Sequence, residues 1–123
     1  MSMDAPTRPG LTDAAPAQRK TLLSRYQQAD QLLGKRWVGL ILRALLDGPC
    51  RFSELASRVG LLSDRMLSVR LGEMEAHGIV ERRVDGDCKP VRIEYALTPK
   101  GYALEPVVRA IGLWADRWVP DEC

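Results

Sequence analysis

Two stretches of helix-forming sequence lie on either side of a three-residue turn, Gly60-Leu61-Leu62, and this arrangement constrains the fold more than any other feature. The first stretch starts at Ser53, a residue type that caps helix N-termini, and runs to Val59, where Gly60 stops it. The second takes Ser63 as N-cap and runs to His77, where Gly78 stops it. Two helices joined this tightly match helix-turn-helix spacing. In the second helix Leu67, Leu71 and Met74 share one side and should face a core. The opposite side carries Arg65, Ser68, Val69, Gly72 and Ala76.

The flanking sequence supplies the rest of a small domain. Residues 1–18, rich in Pro, Ala, Asp and Thr, read as a flexible tail. A first helix is expected over Arg19–Leu33, with Leu22, Tyr26, Ala29 and Leu33 at helical spacing. A second, from about Lys35 to Asp47, is apolar nearly all round and belongs at the centre of a core. Gly48-Pro49 stops it. After Gly78 the period changes to two. Ile79–Val84 and Val91–Leu97 read as strands joined through Asp85-Gly86-Asp87, a hairpin. A short strand at Cys50-Arg51-Phe52 is expected to join them. Thr98-Pro99 starts a final helix carrying Leu104, Val107, Val108, Ile111, Trp114 and Trp118. The expected fold is mainly α with a small β-hairpin (α+β). It is a winged helix-turn-helix: a three-helix core, a wing, and N- and C-terminal dimerisation helices, over residues 19–118, with 119–123 as a tail.

Composition narrows the function classes. With 123 residues and 46% apolar content the chain makes one domain with a small core, for which a partner subunit is an advantage. No apolar run has the length of a membrane span, and no signal peptide is apparent, so the cytoplasm is the expected location. Net charge is only +2, but residues 1–36 carry six basic and three acidic groups and residues 101–123 two basic and four acidic. That asymmetry suits one face meeting phosphate. Cys50, Cys88 and Cys123 form no disulfide framework, which fits a reducing compartment. The cysteines and the sole histidine, His77, lack metal-ligand spacing, and there is no triad-like set or glycine-rich phosphate loop. No cofactor, metal or catalytic residue is expected.

The outward side of the Ser63–His77 helix suits insertion into the major groove of duplex DNA. Ser63, Asp64, Arg65, Ser68, Val69 and Arg70 are the candidate reading residues. Arg65 could fork onto guanine, a contact worth about 1–3 kcal/mol of discrimination. Two features oppose stability. Arg65 and Arg70 precede Glu73 and Glu75, the reverse of the helix-dipole preference, and Gly72 costs about 1 kcal/mol relative to Ala in mid-helix. A functional surface explains both. Arg82, Arg83, Lys89 and Arg92 would make the wing basic, while Lys35, Arg36, Arg51 and Ser53 are candidates for phosphate contact. Leu22 and Tyr26 with Leu104, Val107, Val108, Ile111, Trp114 and Trp118 form apolar stripes suited to a homodimer. Two reading helices would then meet half-sites about 10 bp apart or a multiple of that.

Several blocks of the chain resemble the HxlR family of winged-helix regulators. They include Leu33-Gly34-Lys35-Arg36-Trp37, Leu45-Leu46-Asp47-Gly48-Pro49, Arg51-Phe52-Ser53-Glu54-Leu55, Met66–Leu71, Glu75–Arg82 and Glu94–Gly101, spanning about residues 29 to 115. The resemblance implies a dimeric bacterial regulator bound to a pseudo-palindromic operator, more often a repressor. Carried over, it puts Ser63, Arg65, Ser68 and Arg70 on the reading helix and makes the Arg83–Arg92 hairpin the wing. Val69 and Gly72 depart from the residues common there, Gln and a basic residue. Many relatives carry a cysteine before the first matching helix, where this chain has Leu22-Leu23-Ser24-Arg25.

Three other readings compete. A redox-sensing regulator of the same fold would use Cys88, whose neighbours Lys89 and Arg92 could lower a thiol pKa, or Cys50. A small-molecule effector is compatible with either. A protein-binding winged helix would leave DNA affinity indifferent to Arg65. A small enzyme lacks candidate residues.

Overall fold

Glycines and helix caps divide the chain much as its sequence suggests. A computed structural model describes residues 16–121. The elements are α1 (Pro16–Leu33), α2 (Val38–Leu45), α3 (Phe52–Val59), α4 (Asp64–Ala76), β1 (Val80–Asp85), β2 (Arg92–Leu97), α5 (Pro99–Tyr102) and α6 (Glu105–Trp118). The chain divides at Lys35/Arg36 into an N-terminal unit, whose described part is α1 and the turn after it, and a second unit with everything else. The tail expected over 1–18 falls outside the described residues as far as residue 15, and Pro16 already belongs to α1. Leu22 and Tyr26 are exposed on that helix.

The second unit is a winged helix-turn-helix. In α2 the buried residues are Val38, Ile41, Leu42 and Leu45, the i, i+3, i+4, i+7 pattern of a core-facing stripe. Leu55 and Val59 of α3 and Leu67, Leu71 and Met74 of α4 join them. The strands pair antiparallel, Val80 opposite Leu97 through Asp85 opposite Arg92. β1 packs on α4, and β2 packs on α2 and α3. Val80, Ala96 and Leu97 close the core from the hairpin side. α6 packs against α2.

Four local expectations are corrected. First, α2 begins at Val38, not near Lys35, because Trp37 holds a left-handed backbone with φ 80°, which a right-handed helix excludes. Second, α3 begins at Phe52, with the Arg51 amide donating to Glu54 Oε1 at 2.8 Å, so Ser53 lies inside the first turn. Third, the Cys50–Phe52 strand shrinks to one bridge between Cys50 and Tyr95, since Phe52 is already helical. Fourth, the C-terminal helix is two helices. Pro106 has no N–H to continue the ladder from α5, and α6 starts afresh at Glu105.

The join between hairpin and α5 is tight. Thr98 Oγ1 caps α5 by accepting from the Gly101 amide at 3.1 Å. Gly101 is buried, and a Cβ there would run into the Ile79 carbonyl oxygen and the Leu97 side chain. Gly112 in α6, by contrast, has open space where a Cβ would project. Gly101→Ala should therefore destabilise the protein by about 1–3 kcal/mol through overpacking. Gly112→Ala should be neutral or raise stability by up to about 1 kcal/mol. Urea unfolding of the two variants checks both.

Candidate nucleic-acid interface

Helix α4 is fixed along its whole length. At its start the Ser63 side chain accepts from the Met66 amide at 3.1 Å, a true N-cap. Along its back Leu67, Leu71 and Met74 are at most 1% exposed. At mid-helix the Arg70 guanidinium donates through Nε to the Arg36 carbonyl at 2.9 Å and pairs with Glu73 at 3.0 Å. Its side chain is only 17% exposed. At the end, Lys100 Nζ donates to the His77 carbonyl at 2.7 Å and Thr98 Oγ1 to the Gly78 carbonyl at 2.5 Å. The His77 carbonyl is one of those that a helix C-terminus leaves without partners, and the Gly78 carbonyl follows directly after it. Gly78 takes the left-handed conformation, φ 73°, that ends the helix.

The outward side of this fixed helix is open. Arg65, Ser68, Val69, Gly72 and Ala76 are all exposed, and Ser63 and Asp64 stand exposed at its N-terminal end. Arg65 has no hydrogen bond or ion pair within the described residues. No atom other than the helix's own backbone and Gly72's immediate neighbours lies within 4 Å of where a Gly72 Cβ would sit. The chain's own packing therefore does not require glycine there. Arg70 differs from its neighbours in role: it braces α4 against the turn before α2.

The wing divides its charges between two faces. Arg83 Nε pairs with Glu81 on the same strand at 2.7 Å and lies across from Glu94. Arg92 lies across from Asp85. That face is balanced. Arg82 and Lys89 are exposed and make no ion pair among the described residues. They are the wing's available cations. Arg51 and Ser53 are exposed at the start of α3. The Arg36 guanidinium stacks over the Trp37 ring at 4.4 Å, and Lys35 just precedes it in the chain.

The thiols are unfavourably placed for activation. Cys88 Sγ donates to Asp85 Oδ2 at 3.1 Å, and that hydrogen bond pushes the thiol pKa up. Burial does the same for Cys50, outweighing nearby Arg58. Cys123 lies outside the described residues. No metal-holding group of His, Cys, Asp and Glu occurs among the described residues, and no described helix is long and apolar enough to cross a membrane.

On α6, Val107, Ile111, Trp114 and Trp118 are 45–62% exposed, a large apolar stripe, whereas Leu104 and Val108 are half-buried. Sequence reasoning missed the braces Arg58, Arg70 and Lys100. Arg58 donates to the Ala44 carbonyl at 3.4 Å and to Cys50 Sγ at 3.3 Å. Only Lys100 had a local signal, its place in the Thr98-Pro99-Lys100-Gly101 helix start.

A family model described as HxlR-like helix-turn-helix matches residues 32–123. The chain is 48% identical over 95 residues to YvaP of Bacillus subtilis (strain 168), an uncharacterized HTH-type transcriptional regulator, covering 77% of this chain and 87% of that one. It is 44% identical over 98 residues to the HTH-type transcriptional regulator YodB of the same organism, covering 80% and 87%. The reduced form of YodB superposes with a TM-score of 0.65 at 39% identity, over 89% of this chain and 99% of that one. The redox regulator HypR, oxidized, gives a TM-score of 0.73 at 31% identity, over 80% and 99%. YodB has also been solved diamide-treated and quinone-bound.

The geometry separates two arginines that the sequence groups together. Arg70→Ala should lower stability by about 1–3 kcal/mol by removing the donor to the Arg36 carbonyl and the ion pair with Glu73. Arg65→Ala should stay within about 0.5 kcal/mol of the parent. Chemical denaturation of both variants provides the comparison.

Proposed function

Since the chain belongs to the HxlR-like helix-turn-helix family, we propose that this transcription regulator binds duplex DNA as a homodimer, each subunit laying α4 in a major groove. One observation carries this reading: α4 is anchored at its back and both ends while Arg65, Ser68, Val69 and Gly72 stand outward together. A helix of small residues flanked by an arginine enters the groove closely, and the guanidinium forks onto guanine O6 and N7. Ser68 donates or accepts at a base edge, and Val69 offers apolar contact to a thymine methyl. Arg82 and Lys89 on the wing, with Arg51 and Ser53 at the start of α3, contact phosphates and set the register. Arg36 and Lys35 are further phosphate contacts, Arg36 with its guanidinium already stacked on Trp37.

The homodimer is supported by the exposed stripe Val107, Ile111, Trp114 and Trp118, with Leu104 and Val108 at its edge and Leu22 and Tyr26 exposed on α1. Apolar area of this kind marks an interface. Two-fold pairing would present two α4 helices to a pseudo-palindromic operator. Repression follows most simply from occupancy of such a site. The relatives' redox chemistry motivates a second reading, thiol sensing, but the raised thiol pKa values of Cys50 and Cys88 disfavour the reactive thiolate.

Binding of variants to promoter fragments tests the reading. Arg65→Ala should weaken specific binding by about 5- to 150-fold and relax base preference. Arg82→Ala should weaken all sequences alike and reduce the salt slope by about one. Gly72→Ala should stabilise the fold by up to about 1 kcal/mol yet weaken DNA binding. Unchanged affinity in Arg65→Ala would point instead to a protein partner.

A further inference from the structure

A cleft of about 620 Å³ opens between the start of α3 and the loop joining the strands. Its volume lies within the range of small-molecule sites. Arg51, Lys89 and Arg92 supply its charge, and Phe52, Val91 and Ile93 much of its apolar wall. Ser53 adds a hydroxyl and Cys88 a half-buried thiol. No acidic residue lines it among the described residues. The carboxylates near this group are already engaged: Asp85, opposite Arg92, accepts from the Asp87 amide at 3.1 Å and the Cys88 thiol at 3.1 Å, and Glu54 accepts from the Arg51 amide at 2.8 Å. Arg51, Lys89 and Arg92 have no ion pair at salt-bridge distance among the described residues. Like charges gathered around one concave surface repel one another, and a bound anion reverses that cost.

We propose that this cleft binds a small organic oxyanion, a phosphate or carboxylate group carried on a flat apolar body, as an effector. The oxyanion takes charge-assisted hydrogen bonds from Arg51 and Arg92, with Lys89 as a mobile third donor. The apolar body lies against Phe52, Val91 and Ile93. A DNA phosphate shares the oxyanion but brings no apolar body. The regulatory consequence rests on the DNA-binding reading: Arg51 and Lys89 cannot hold the effector and the operator backbone together, so the effector releases DNA.

Phenyl phosphate is a suitable probe, titrated calorimetrically into the full-length, DNA-free protein at constant ionic strength. Inorganic phosphate and benzylamine are the controls. The expected result is saturable binding at one site per chain, tighter than inorganic phosphate and absent for benzylamine. Iodoacetamide labelling of Cys88, followed by peptide mass spectrometry, should slow as the site fills. Arg51→Gln and Arg92→Gln, each checked for folding by circular dichroism, should weaken binding by about tenfold or more. No saturation up to about 10 mM would overturn the proposal, since that corresponds to negligible affinity. So would equal binding of inorganic phosphate, or unchanged binding in both variants. A protein that binds phenyl phosphate but no promoter DNA would keep the cleft and remove the operator reading. A protein that binds DNA but not phenyl phosphate would do the reverse.

Discussion

Burial of Leu67, Leu71 and Met74 is the contact on which the rest of this molecule depends. Removing three large side chains from water stabilises the fold by roughly 1.5–3 kcal/mol each. It also fixes the rotation of α4 about its own axis. Once those three point inward, Arg65, Ser68, Val69 and Gly72 must point outward, because the helical repeat leaves them no alternative. The Ser63 cap, the Arg70 brace and the Thr98 and Lys100 contacts then hold the helix along its length. A backbone held this rigidly suits readout of a preformed target, since little backbone freedom remains to be lost on binding.

The basic residues fall into two groups with different work. Arg58, Arg70 and Lys100 each donate to a backbone carbonyl and join elements distant in sequence. Arg65, Arg82 and Lys89 are exposed and make no ion pair among the described residues, and Arg83 is neutralised locally by Glu81. A net charge of +2 thus conceals a small set of available cations on α4 and the hairpin. The cleft beside α3 gathers Arg51, Lys89 and Arg92 against an apolar wall.

Legibility in the sequence followed the range of the deciding interaction. Ser63 as cap, Gly60 and Gly78 as stops and the inward triplet of α4 all depend on neighbours within a few residues, and each was legible. The start of α2 was not. Trp37 adopts φ 80° in a turn whose Arg36 carbonyl is held by Arg70, 34 residues away. The break between α5 and α6 was obscured because the apolar period runs unbroken from Leu104 to Trp118, although Pro106 was a visible signal. Glu54 reached back to the Arg51 amide and moved the α3 cap off Ser53. Arg70 and Arg65 look alike in the chain; only the packing of α4 against the turn before α2 separates a brace from a reader. The pairing on the wing depends on strand register, which sets Arg83 beside Glu94 and Arg92 beside Asp85.

The most direct test of the central claim is methylation interference on operators selected from a random DNA pool. Guanine N7 lies in the major groove and adenine N3 in the minor groove, so the method reports which groove the protein reads. The outward face of α4 predicts guanine N7 interference in two symmetric patches separated by about one helical turn or a multiple of it. Interference confined to adenine N3, or a pool that yields no preferred sequence, would contradict it.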